Sequence, residues 1–135
     1  MNVIIKLASS AIKRRKDDEQ IMKIVGRDIY LIRGDSASLL IRLQEKNGAP
    51  HPLAEGDTIY FTVKQTATDM EKVLQKVIKE FTEEGVAEIN FLPTDTKNLD
   101  FGQYKYDIQW NRVDGSVQTL VPVSKFWLME EITYE

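Results

Sequence analysis

Pro93-Thr94-Asp95-Thr96-Lys97-Asn98-Leu99-Asp100-Phe101-Gly102-Gln103-Tyr104-Lys105-Tyr106-Asp107-Ile108-Gln109-Trp110 is the stretch that decides how this chain folds. Its first half is built of turn formers. Its second half alternates, with Tyr104, Tyr106, Ile108 and Trp110 on one face of an extended segment and Lys105, Asp107, Gln109 and Asn111 on the other. Side chains two apart share a face of a strand, so this one covers a core with one side and meets water with the other. Gly102 bends the chain into the strand. Tyr104 then stands where a tyrosine corner returns its hydroxyl to upstream backbone, as in an immunoglobulin-like sandwich. The stretch speaks to architecture and names no reaction.

Outward from this strand, similar signals recur at the spacing of an all-β sandwich, about eight in all. Ile21 to Val25 and Asp28 to Ile32 are separated by Gly26, and Arg33-Gly34-Asp35-Ser36 turns the chain into Ala37 to Gln44. Asn47-Gly48 marks a hairpin turn, and the loop through Pro50, His51, Pro52 and Gly56 leads to Thr58 to Lys64. That segment sends Ile59, Phe61 and Val63 inward and Tyr60 and Thr62 outward, as a central strand does. Ala87 to Leu92, Gln103 to Asn111, Val117 to Val121 and Phe126 to Tyr134 complete the set, with Asp114-Gly115 turning between two of them. One segment departs from this pattern. Met70, Val73, Leu74, Val77, Ile78 and Phe81 recur at helical spacing, with Thr68 as N-cap and Gly85 as C′ residue, which describes a helix near 69–82 and an α+β alternative.

The chain has 135 residues, 42% hydrophobic and 29% charged, the composition of one folded domain and not of a disordered or membrane protein. The net charge of -3 gives no drive toward nucleic acid, whose phosphates call for a basic surface. The charge is uneven: residues 1–20 carry Lys6, Lys13, Arg14, Arg15 and Lys16 against Asp17, Asp18 and Glu19, a local +2 that leaves -5 elsewhere. A short N-terminal arm, 1–20, is therefore expected before a sandwich domain at 21–135. With no cysteine there are no disulfides, thiolate metal sites or thiol nucleophiles. The apolar run Asn2 to Leu7 precedes its basic cluster, the reverse of a secretory signal, and no run approaches a membrane span. These features fit a chain made in the cytoplasm, without membrane insertion.

Chemistry-bearing motifs are few. His51 is the single histidine and lies between two prolines, where no partner for a general base is foreseen. Ser36 and Ser38 sit at a turn, without the Gly-x-Ser-x-Gly elbow of an activated serine. Asp17, Asp18 and Glu19 lack the spacing of a calcium loop and read as a solvated run. Thr94 and Thr96, flanking Asp95, read as side chains bonded to nearby turn backbone. No phosphate-cradling glycine motif occurs. Arg33-Gly34-Asp35 spells an adhesion tripeptide, yet at a strand-to-strand bend it reads as turn chemistry. No catalytic, metal or cofactor-binding residue is expected. Ile4, Ile5, Lys13, Arg14, Arg15 and Lys16 are the candidate partner contacts, because an apolar strand and a basic cluster can add to a sheet edge of an acidic neighbour.

Taken together, Arg33-Gly-Asp-Ser36, Gly56-Asp-Thr-Ile-Tyr-Phe-Thr-Val-Lys64, Leu74-Gln-Lys76, Pro93-Thr-Asp-Thr96, Gly102-Gln-Tyr-Lys-Tyr-Asp-Ile-Gln109, Gly115-Ser-Val-Gln-Thr119, Phe126 and Glu131-Ile-Thr133 resemble small tail-associated proteins of phages and prophages in Gram-positive bacteria. They are similar to the immunoglobulin-like N-terminal domain of upper baseplate proteins. The resemblance runs from Asp28 to Glu135; residues 1–20 have no counterpart in it. It implies an antiparallel sandwich in which Val73 to Lys79 is a strand, against the helical periodicity. It also implies a non-enzymatic virion component in the tail, assembled in the host cytoplasm as a homo-oligomer beside a neighbouring tail protein. The alternative is a free-standing binding module for a host-surface carbohydrate or protein. Such a module would present Trp110, Trp127 or Tyr60 to a ligand, whereas an assembly protein would bury apolar residues between chains.

Overall fold

The structure, a computed structural model, describes residues 1–7, 22–81 and 83–130. Among the described residues, nine strands and one helical turn follow in chain order: β1 (Asn2–Leu7), β2 (Met22–Val25), β3 (Asp28–Ile32), β4 (Ala37–Gln44), β5 (Thr58–Lys64), β6 (Leu74–Ile78), β7 (Val86–Phe91), α1 (Pro93–Thr96), β8 (Gly102–Asn111) and β9 (Val117–Met129). They form a three-stranded sheet in the order β1-β4-β7 and a six-stranded sheet in the order β2-β3-β9-β8-β5-β6. All pairs are antiparallel except β3 with β9. This is an all-β sandwich, and β8, β5, β4 and β7 take the places of the four central strands of the immunoglobulin arrangement.

Alternation builds the core. Leu39, Ile41, Leu43, Ile89 and Phe91 of the smaller sheet are buried with Ile59, Phe61, Val63, Tyr106 and Ile108 of the larger. At the centre Phe61 stacks on Tyr106 at 5.1 Å and meets the edge of Phe91 at 5.4 Å. In the immunoglobulin pattern the residue two after the corner tyrosine is a disulfide cysteine. Here Tyr106 holds that place, and packed rings join the two sheets in a chain that has no cysteine. Tyr104 donates its hydroxyl to Asp100 O at 2.8 Å, closing the expected corner.

The strand expected at Val73 to Lys79 is β6, paired with β5, and the alternative of a helix near 69–82 falls, with Met70 92% exposed. Three expectations change. The strands expected at Val117 to Val121 and from Phe126 are one strand, β9, because two register shifts against β8 absorb extra residues. The first leaves Leu120 and Val121 both buried; the second sets Pro122 and Val123 opposite Asp107, a bulge that accommodates a proline. The apolar start of the expected arm is β1, paired in its own chain with β4 from Asn2↔Gln44 to Leu7↔Leu39. Thr96 is fully buried and bonds far from its own turn, its Oγ1 accepting from Gly34 N at 2.8 Å.

That last bond clamps α1 to the Arg33-Gly34-Asp35 bend. Arg33 also donates to Leu99 O at 3.2 Å and lies 4.0 Å over the Phe101 ring. The tripeptide is thus held against the segment that precedes β8.

Candidate functional site

The residues singled out in the sequence do not converge. Ile4 is 38% exposed on the outer side of β1, while Ile5 packs against the core; Lys13, Arg14, Arg15 and Lys16 lie outside the described residues. Asp17 to Glu19 lie outside them too. His51 does have a carboxylate partner, since its Nδ1 contacts Glu45 Oε1 across the Asn47-Gly48 turn and its ring meets the edge of Trp110 at 5.5 Å. Ser38 is elsewhere, donating to Asn90 Oδ1 at 2.6 Å on the outer side of the smaller sheet. Among the described residues no group of three histidine, aspartate or glutamate side chains is placed to hold a metal, and no helix is long and apolar enough to cross a membrane.

Of the three aromatics named as ligand-presenting candidates, Trp110 is core. Its indole donates to Asp57 Oδ2 at 3.0 Å. Asp57, only 2% exposed, also accepts from Ala54 N and Val113 N, both at 2.9 Å. Burial pushes its carboxyl up, but these three hydrogen bonds and the nearby Arg112 charge outweigh that and hold it below the usual aspartate value. The carboxylate fastens the start of β5 to the end of β8. Sequence reading missed it, since its partners come from distant positions.

Tyr60 and Trp127 lie on the outer face of the six-stranded sheet, which divides into two halves. On the β2-β3-β9 side, Tyr30 stacks parallel on Trp127 at 6.0 Å, with Lys23 over the tyrosine ring. Ile32 and Met129 are the next pair along on this face, and Met129 is 43% exposed. Trp127 Nε1 is closed to solvent without an acceptor. The result is an apolar patch edged by charge.

On the β8-β5-β6 side, a polar groove of about 350 Å³ runs over the sheet. Tyr60, Thr62 and Lys64 rise from β5, and Lys105, Asp107 and Gln109 from β8. Gln75 of β6 closes one wall, its Nε2 donating to Thr62 Oγ1 at 2.9 Å. Lys72 reaches that glutamine from the preceding loop at 3.5 Å. The register sets Lys64 opposite Lys105, and Lys105 opposite Lys125 of β9, so three lysines form one row across adjacent strands. Like charges directly opposite oppose pairing. Asp107 stands among them, its carboxyl pushed up by burial against the attraction of Lys64. The alternation in the sequence marks each lysine as outward-facing; only the register shows that they align.

The chain matches no known protein family and no curated relative.

Proposed function

We propose that this protein is a structural, non-enzymatic component of a phage or prophage tail or baseplate, working by protein–protein assembly in the virion after being made in the host cytoplasm. Copies of the chain and a neighbouring tail protein are its partners. The observation that carries this reading is the Tyr30–Trp127 stack with Ile32 and Met129 beside it on the outer face of the larger sheet. Tryptophan, tyrosine and methionine are enriched in protein interfaces, and an apolar patch rimmed by polar side chains is the usual form of such a surface. The motifs behind the resemblance support the same reading through their use as framework: the corner at Gly102 to Tyr104, the turn Pro93–Thr96 and the bend at Arg33 to Ser36 hold strands together.

Quantitative mass spectrometry of particles purified from the encoding strain tests it, together with gold labelling of the chain. The expected result is a fixed copy number per particle, with label at the tail. Absence of the chain from tailed particles would overturn the assignment. Assembly through the patch is tested by Trp127→Ala, which should release the chain from its tail partner in co-purification while leaving its denaturation midpoint within a small margin of the parent.

A further inference from the structure

Lys64, Lys105 and Lys125 stand side by side on β5, β8 and β9, about 4.8 Å apart from strand to strand. Aligning them works against sheet stability, and the chain as a whole is acidic, with a net charge of -3. With Lys72 at the far wall and Asp107 as the carboxylate among them, the groove and its row form a basic track on an acidic molecule. Such a track attracts an anion.

The kind of anion follows from what else lines the groove. β8 is hydrogen-bonded to β5 on one side and β9 on the other, so the groove floor offers no free backbone edge for an extended peptide to join. Recognition falls to side chains. Gln75, Gln109 and Asn111 supply amides, Thr62 a hydroxyl, and Tyr60 a half-buried ring. Amides for hydroxyls and a ring for an apolar sugar face are the means by which a saccharide is held. Asp107 accepts from a further hydroxyl. At about 350 Å³ the groove falls within the range of small-ligand clefts. We infer that the Lys64–Lys105–Lys125 row and the adjoining groove bind a carboxylate-bearing saccharide through ammonium–carboxylate pairs, amide–hydroxyl bonds and stacking on Tyr60. The inference is independent of the tail assignment, because binding by the chain in solution is read without any virion.

Calorimetric titration of the full chain with oligogalacturonate tests this, with a neutral oligogalactoside and oligoglutamate as parallel probes. Oligogalacturonate is expected to bind, more weakly as salt rises, while the neutral sugar and the peptide bind at least roughly ten-fold less well. Lys64→Gln with Lys105→Gln should lower affinity by roughly ten-fold or more, with a denaturation midpoint equal to or above the parent's. Tyr60→Ala should also weaken binding, an effect that charge attraction alone would not produce. Oligoglutamate binding as tightly as oligogalacturonate would overturn the inference, as would no binding of oligogalacturonate, or affinities unchanged in both variants.

Discussion

Tyr104 and Asp57 hold opposite ends of β8, and each does so with a polar group turned to backbone. The Tyr104 hydroxyl reaches Asp100 O at 2.8 Å from a ring that is 4% exposed. Tyr104→Phe keeps the ring and loses the bond, so unfolding free energy should fall by about 1 kcal/mol. An unchanged urea midpoint would show that the corner contributes nothing. Asp57 carries more, because its carboxylate accepts from two backbone N–H groups and the Trp110 indole. Asp57→Asn places an amide N–H where an acceptor is needed, and should cost roughly 2–3 kcal/mol at neutral pH. A carboxyl depressed in the folded state stabilises above its unfolded value, here 3.8, and loses that contribution as pH falls through the lower folded value. The gap between parent and variant is therefore widest near pH 7 and narrows on acidification below the usual aspartate range; a gap independent of pH would refute the charged hydrogen bonds. Tyr104 was legible in the sequence because its acceptor lies four residues away, within one turn. Asp57 was not, because Trp110 and Val113 lie 53 and 56 residues from it.

At the scale of elements, β6 shows how a local pattern loses to a neighbour. Its apolar residues fit a helix, yet a strand there completes β5's second row of hydrogen bonds, and Leu74 and Ile78 face inward opposite Val63 and Ile59. Lys76, between them, points inward as well and reaches Asp95 of α1 at 2.6 Å. An inward charge is one way a sheet edge is kept from pairing with another chain, and here it also ties that edge to the opposite side of the sandwich. The turn from β6 into β7 depends on Gly85, which has φ +73 and would bring a Cβ to 2.9 Å from Leu43 O and 3.1 Å from His51 O. Gly85→Ala should cost roughly 1–3 kcal/mol, toward the upper end because both obstructing atoms are backbone. Gly26→Ala, at φ +62 with open space around it, isolates the conformational part. Equal losses in the two variants would show that contact with β4 contributes nothing. The periodicity that suggested a helix took in Met70 and Phe81, which lie outside the strand, while the alternation in β5 and β8 needed no correction because each is paired on both sides.

For the whole molecule, the sequence separated inner from outer faces but did not show how strands stand beside one another. Ile59, Phe61, Tyr106 and Ile108 were legible as core from alternation, whereas the lysine row and the Tyr30–Trp127 stack depend on the register of strands far apart in the chain. β1 is the element in which this matters most for assembly. Among the described residues it pairs only with β4, setting Val3, Ile5 and Leu7 against the core, and no described strand lies on its other edge. Residues 8–21 separate it from β2 in the sequence. A β1 supplied by a second copy makes, under the assembly reading, the same β1–β4 contacts, and rising protein concentration favours that exchange. Under the assembly reading, light scattering on the full chain at rising concentration should give a mass above that of one chain, and a chain beginning at Gln20 should remain monomeric. The shorter chain should also unfold at lower denaturant, since Val3, Ile5 and Leu7 no longer cover the edge of the core. Monomeric masses for both would refute assembly through β1, and an oligomer that survives truncation would place the contact elsewhere, with the Trp127 patch the next surface to change.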